Sequence, residues 1–251
     1  MSGPVTAAGI SRIALVTDFG PGPYVGQVQL VLDALVPGVR ALDLISDLTP
    51  FRPDLAAYLL PALVRDTPPG TLFLCIVDPG VGGERAALAL EADGRWFVGP
   101  DNGLLAVVAR RAQRLRALRV VWRPIWLSQS FHGRDLFAPV AARICQGQDL
   151  AWEALDEPAL VGWDWPEDLP RIVYRDSYGN LMTGWRAERL DQGATLALGG
   201  QGIGWARTFC EARPGAAFWY ENAFGLVEIA VNQGRADLQL GLEPGADLVL
   251  G

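Results

Sequence analysis

Up to about residue 150 the chain alternates short apolar runs with stretches of helical spacing; beyond about residue 168 it does not. No other feature constrains the fold as much. "SRIALVTDFG" reads as a buried strand, Ile13 to Val16, ending in a turn at Gly20. "YVGQVQLVLDALVP" then has helical spacing through Val25, Val28, Leu32 and Leu35, and Pro37 stops it. "RALDLIS" predicts a second strand, and "DLAAYLLPALVRDT" a second helix kinked or broken at Pro61. "TLFLCIVD" predicts a third, fully apolar strand, and "RAALALEADGRWFVGPDNG" a hairpin turning at Asp93-Gly94. "LLAVVARRAQRLRAL" and "FAPVAARICQG" predict two more helices. Such alternation implies an α/β domain on a largely parallel sheet. Ligands of these sheets bind beyond the carboxyl ends of the strands, where Asp18 and Asp78 fall.

The texture changes near residue 155. "LDEPALVGWDWPEDLP" is rich in proline, tryptophan and acid and reads as a linker. After it come short strands: "RIVYRDSYGNLMT", "ATLALGG", "QGIGWARTF" and "FWYENAFGLVEIAV". Turn residues separate them at roughly 8 to 12 residue intervals, which suggests a small antiparallel barrel or sandwich. The expected organisation is an α/β domain over 1–160 and a smaller all-β, barrel-like domain over 168–251.

Composition narrows the chemistry. Half of the 251 residues are hydrophobic, enough for a sizeable core. A net charge of −7 argues against nucleic acid as a partner, because binding phosphates needs a basic surface. All 21 basic residues are arginine, which excludes a lysine Schiff base, a pyridoxal phosphate anchor and a phosphate-loop lysine. The three cysteines, Cys75, Cys145 and Cys210, are scattered and form no CxxC pair, so neither a zinc site nor a disulfide framework is expected. Cys75, in an apolar run, reads as a small buried hydrophobe. "MSGPVTAAGISR" lacks the pattern of a signal peptide, and the longest apolar run, "LAAYLLPALV", is about half a bilayer span. The expected setting is reducing and cytoplasmic, with no membrane partner.

Five short stretches are able to carry chemistry. In "TDFG", Asp18 follows a buried strand and suits a vicinal diol such as a ribose; otherwise it caps a turn. In "VDPGVGGER", glycines allow close approach and Arg85 follows Asp78 by seven residues; otherwise the two form an ordinary ion pair. Asp101 and Asn102 of "GPDNG" are ordinary turn and cap material. "FHGRDLFAP" holds the one histidine, His132, in a predicted loop. In "RDSYGN", Asp176, Tyr178 and Asn180 share one face if the segment is a strand; the alternative is a hairpin with "YGN" at its turn. A GxSxG elbow is absent, and "GGQGIG" fails the GxGxxG spacing.

"TDFG…YVG", "VDPGVGGER", "GPDNG", "FHGRDLFAPVAA" and "DSYGN", in this order, resemble the S-adenosyl-L-methionine hydroxide adenosyltransferases, relatives of the fluorinating and chlorinating adenosyl enzymes. The resemblance spans nearly the whole chain, ending in "NAFGLVEIAVNQG". It implies hydrolysis of S-adenosylmethionine (SAM) to adenosine and methionine, with SAM as substrate and no cofactor or metal. It implies a homotrimer with active sites at subunit interfaces. A catalytic triad would fall on Asp78, Arg85 and His132. Asp78 and His132 would orient a water and accept its proton while Arg85 holds the carboxylate. Asp18 would hold the ribose hydroxyls and Phe51 flank the ribose. Tyr178 and Asn180 would meet the adenine, with backbone near Val231 and Gln233 reading its edge, and Asn222 would also belong to the substrate-binding set. Asp176 would pair with the methionine ammonium. The chain departs from the family pattern at the methionine end: no acidic residue soon after "TDFG", Gln29-Leu30 for lysine-glycine, and Ala223 for serine. Two alternatives follow: a non-catalytic adenosine or SAM binder, or an enzyme for another 5′-substituted adenosine.

Overall fold

A computed structural model describes residues 9–198 and 201–251. The start of "MSGPVTAAGISR" and the first two glycines of "GGQGIG" lie outside the described residues. The chain divides into two compact units, one of residues 1–57 and 66–165, the other of 58–65 and 166–251.

The first unit is an α/β layer structure. Its strands are β1 (Arg12–Thr17), β2 (Arg40–Ile45), β3 (Thr71–Ile76), β4 (Ala87–Ala92), β5 (Arg95–Pro100), β6 (Leu115–Val120) and β7 (Trp152–Ala154), in the order β2-β1-β3-β5-β4-β6-β7. β2, β1, β3 and β5 run parallel, while β4, β6 and β7 pair antiparallel. β3 is buried at every position, as expected of a strand covered on both faces. Helix α1 (Pro23–Leu35) buries Val28 and Leu32. Leu35 is solvent-exposed and Val36, one residue beyond the helix, takes the core position expected of it. Asp93 and Gly94 both adopt positive φ, the geometry of a tight β4–β5 turn matched to strand twist.

Two readings of this region need correction. The helix expected over "LLAVVARRAQRLRAL" ends early: α3 covers Ala106–Arg111, and "RLRALRV" becomes β6. The hydrogen bonds available along β4 outweigh local helical spacing. The supposed linker is also structured, and its residues 155–165 pack in the first unit. It follows directly on β7, Leu155 N donates to the Ala117 carbonyl at 3.0 Å, Leu160 is buried, and the Trp165 ring sits against Gly103 and Gly162.

Helix α2 (Pro53–Arg65) runs unbroken through Pro61. Its last residues group with the second unit, where Tyr58 donates to the Pro166 carbonyl at 2.8 Å and Arg65 to the Ala223 carbonyl at 2.8 Å. That unit holds two antiparallel sheets. β8 (Leu169–Arg175), β9 (Leu181–Arg186), β12 (Ala217–Glu221) and β13 (Leu226–Val231) form one, in the order β12-β13-β9-β8. β10 (Leu196–Leu198), β11 (Gln201–Ile203) and β14 (Val249–Leu250) form the other. Ile172, Leu181, Leu196, Ile203 and Trp219 share one core between them. A short helix (Ala236–Leu240) follows β13.

Candidate active site

β1 pairs with β2 on one side and β3 on the other, so the chain leaves β1 and β3 in opposite directions and a crevice opens at their carboxyl ends. Thr17 is in register with Ile76, which brings Asp18 and Asp78 to the same edge. A cleft of about 370 Å³ lies there, within the range of small-molecule sites. Asp18, Phe51, Asp78 and His132 line it.

Asp78, Arg85 and His132 come into contact in a fixed order. Arg85 Nε donates to Asp78 Oδ1 at 2.8 Å, and its Nη2 makes a second, short bond to Asp78 Oδ2. The same Nη2 lies 3.0 Å from His132 Nδ1. The guanidinium therefore sits between carboxylate and imidazole and stacks on Phe137. The Asp78 and Arg85 side chains are 5% and 11% exposed, so this is not a surface ion pair. Close backbone approach brings the partners together: a Cβ on Gly82, at φ +80°, would lie 2.5 Å from the Gln129 carbonyl oxygen in the histidine loop. Asn102 donates to the Val77 carbonyl at 2.8 Å and Asp101 accepts from Val161 N, so "GPDNG" is scaffold for the "DPG" turn.

The contact also fixes the imidazole tautomer. Arginine has donors and no acceptor, so Nδ1 is unprotonated and the neutral ring carries its proton on Nε2. Burial, and then the Arg85 charge, hold the His132 pKa below its ordinary value, against the opposing pull of Asp78.

Asp18 Oδ2 accepts from the Phe51 amide at 3.0 Å. Phe51 pays for this position with φ at +63°, unusual for a bulky residue, and its ring is 72% exposed. Burial raises the Asp18 pKa, and the Phe51 hydrogen bond opposes the shift. Sequence reasoning missed the aromatic wall of the cleft. Phe19, Tyr24 and Phe131 meet pairwise with centroids 5.3–5.9 Å apart. Their separation in sequence hid the cluster.

The second unit holds the remaining residues of interest. Asp176, Tyr178 and Asn180 occupy the turn between β8 and β9 and not one strand face. Gly179, at φ +85°, reverses the chain, so Tyr178 is 76% exposed while Asn180 is buried. Asp176 accepts from the Asn180 backbone N at 2.8 Å and from its Nδ2 at 2.9 Å. Asn222 accepts from Phe224 N and Leu226 N and donates to Glu228 Oε2 at 2.8 Å. Glu228, a buried carboxyl also bonded to Tyr220, gave no sequence signal, since it sits in an apolar strand. Val231 is buried at the end of β13, and Gln233 follows with φ at +56°.

The family model for the SAM hydroxide adenosyltransferase N-terminal domain matches residues 13–153, and that for the C-terminal domain matches 170–249. The chain belongs to the SAM hydroxide adenosyltransferase family.

Proteins named (R)-S-adenosyl-L-methionine hydrolase resemble this adenosyltransferase-family chain over nearly its full length. One from Thermus thermophilus is 36% identical, over 93% of this chain and 96% of that protein. One from Salinispora arenicola is also 36% identical, over 94% and 96%. Among solved structures, an uncharacterized conserved protein from Thermotoga maritima superposes with a TM-score of 0.79 at 27% identity, covering 94% of this chain and 98% of that one. A conserved hypothetical protein from Thermus thermophilus gives 0.76 at 33% identity, covering 96% and 99%. Among the described residues no acid, histidine and cysteine cluster suited to a metal occurs, and no helix is long and apolar enough to cross a membrane.

Proposed function

We propose that this protein hydrolyses SAM to adenosine and L-methionine, with Asp78, Arg85 and His132 as catalytic residues. The observation that carries the reading is the contact of these three side chains beside a nucleoside-sized cleft. Family membership and the hydrolase relatives support the substrate.

Water attacks C5′ in line with the departing sulfur. The C5′–O bond forms, the C5′–S bond breaks, and the sulfonium leaves with the electron pair as a neutral thioether. The leaving group needs no general acid. The water needs positioning in a dry cleft and an acceptor for its proton. With its proton on Nε2, neutral His132 offers the water a donor, not a base. The acceptor is Asp78, each of whose oxygens keeps a free lone pair beside Arg85. These roles differ from the sequence-based expectation in that His132 does not take the proton. Arg85 aligns both partners and stabilises developing hydroxide character.

In this reading Asp18 holds the ribose hydroxyls and Phe51 flanks the ribose. Residues 168–251 supply the adenine and methionine contacts: Tyr178, Asn180, Asn222, Asp176, and backbone at Val231 and Gln233. The active protein is a homotrimer, each site shared between neighbouring subunits. The exposed rings of Phe51 and Tyr178 support that assembly. The protein works without a cofactor in the cytoplasm; an exposed free thiol at Cys210 supports a reducing compartment.

The test is incubation of purified protein with SAM and chromatographic detection of adenosine. Release of adenosine that is lost in Asp78→Asn and His132→Ala supports the reading. Full turnover in either variant overturns the mechanism. Tight nucleoside binding with no product selects a non-catalytic binder.

A further inference from the structure

The segment that carries His132 is braced from behind by its neighbour Arg134. Arg134 Nε donates to Asp135 Oδ1 at 2.6 Å and Nη2 to Asp135 Oδ2 at 3.0 Å. Its third arm, Nη1, donates to Gln27 Oε1 on α1 at 2.8 Å. Asp135 accepts from Ser128 N at 3.2 Å, and the Asp135 backbone N bonds the Phe131 carbonyl at 3.1 Å. The guanidinium lies 5.0 Å from the centre of the Phe131 ring and 5.9 Å from that of Trp126. One side chain thus ties α1, both ends of the loop 126–131, and the π-helical turn Gly133–Phe137 that begins just after His132.

We propose that Arg134 is a positioning residue for the reaction: it fixes the loop 126–131 against α1 and so holds the imidazole of His132 at Arg85. The inference rests on the catalytic role given to His132 above. The shape of the group matters as much as its charge. Three of its N–H directions are used at once, on two acceptors that diverge, while its plane covers an aromatic ring. A lysine ammonium has no plane and cannot fill the same set.

Arg134 touches neither Asp18 nor Asp78; it meets the cleft lining through the Phe131 ring, one residue from His132, so its effect passes through the geometry of the segment that carries His132. The charged groups that act on the imidazole are Arg85 and Arg123, which disfavour its protonation, and Asp78 and Asp135, which favour it. Loosening the loop weakens the Arg85 contact and admits water. Both changes raise the pKa of His132 toward that of a free imidazole.

The experiment compares Arg134→Lys, Arg134→Gln and Gln27→Leu with the wild type in two independent readouts. The first is NMR titration of the ring protons of His132, which as the one histidine gives a single set of signals. The second is kcat and KM for SAM per folded active site as a function of pH. Expected are an upward shift of the His132 midpoint by about half a pH unit in both Arg134 variants, a kcat loss of about 10- to 30-fold with KM within about twofold, and no rescue by lysine. Gln27→Leu should show a smaller effect of the same sign. An unmoved His132 midpoint with wild-type kcat in folded Arg134 variants overturns the proposal, even if Tm falls. If the wild type releases no adenosine, the catalytic reading fails instead, and the NMR midpoint still reports on the brace.

Discussion

Arg85 donates to Nδ1 of His132 across 3.0 Å, so a cation faces the ring nitrogen that a protonated imidazole would have to use. This relationship fixes the tautomer of the neutral ring and sets the first expectation.

His132 is held below its ordinary pKa by burial and by Arg85, so the contact favours the neutral ring. A depressed folded pKa means stability that is present above the unfolded value, about 6.5, and lost as pH falls through the folded one. The acid limb of kcat should therefore lie below pH 6.5. Over the same window wild-type stability should fall more steeply than that of His132→Asn. Urea titrations between pH 5 and 7 and a pH–rate profile measure both.

Removing Arg85 leaves a buried carboxylate without its partner. Arg85→Ala should destabilise the protein by about 3–5 kcal/mol, as for one half of a buried pair. Asp78→Asn keeps an amide oxygen that can accept one Arg85 hydrogen bond and leaves the charge on the more exposed partner, so it should cost less stability than Arg85→Ala. Its kcat should nevertheless fall by about 10²–10⁴, with KM little changed, if Asp78 is the proton acceptor proposed above. Chemical denaturation beside steady-state kinetics separates the two effects.

Gly82→Ala should damage stability and activity together. Its φ of +80° costs a side-chain-bearing residue about 1–2 kcal/mol, and the new Cβ would press on the Gln129 carbonyl, 2.5 Å away. The strain falls between the Asp78–Arg85 loop and the His132 loop. We expect a lower Tm and a kcat reduction of at least tenfold; wild-type kcat in this variant would show that the close approach is immaterial to the site.

Phe51→Gly should trade binding for backbone ease. The φ of +63° is available to glycine, and an exposed ring contributes little to the core, so stability should hold or rise by up to about 1 kcal/mol. Adenosine affinity should fall by about tenfold if the ring flanks the ribose. Calorimetric binding and thermal melts of the same variant check both halves.

Read alone, the sequence determined the alternation of strands and helices, the Asp93-Gly94 hairpin and the switch to antiparallel strands near residue 168. These depend on spacing and turn chemistry, which are local. It also named Asp78, Arg85 and His132 through motif order. Only tertiary structure decided that Arg85 lies between the other two, which fixes the tautomer and underlies the donor role proposed for His132. The same holds for "RLRALRV", a strand because β4 offers it hydrogen bonds, and for "DSYGN", where Gly179 turns the chain and separates Tyr178 from Asn180. Phe19, Tyr24 and Phe131, and Arg134 with Gln27, meet through contacts between segments distant in sequence. Periodicity reports which face of an element is apolar; it carries no information about which distant side chain arrives on it.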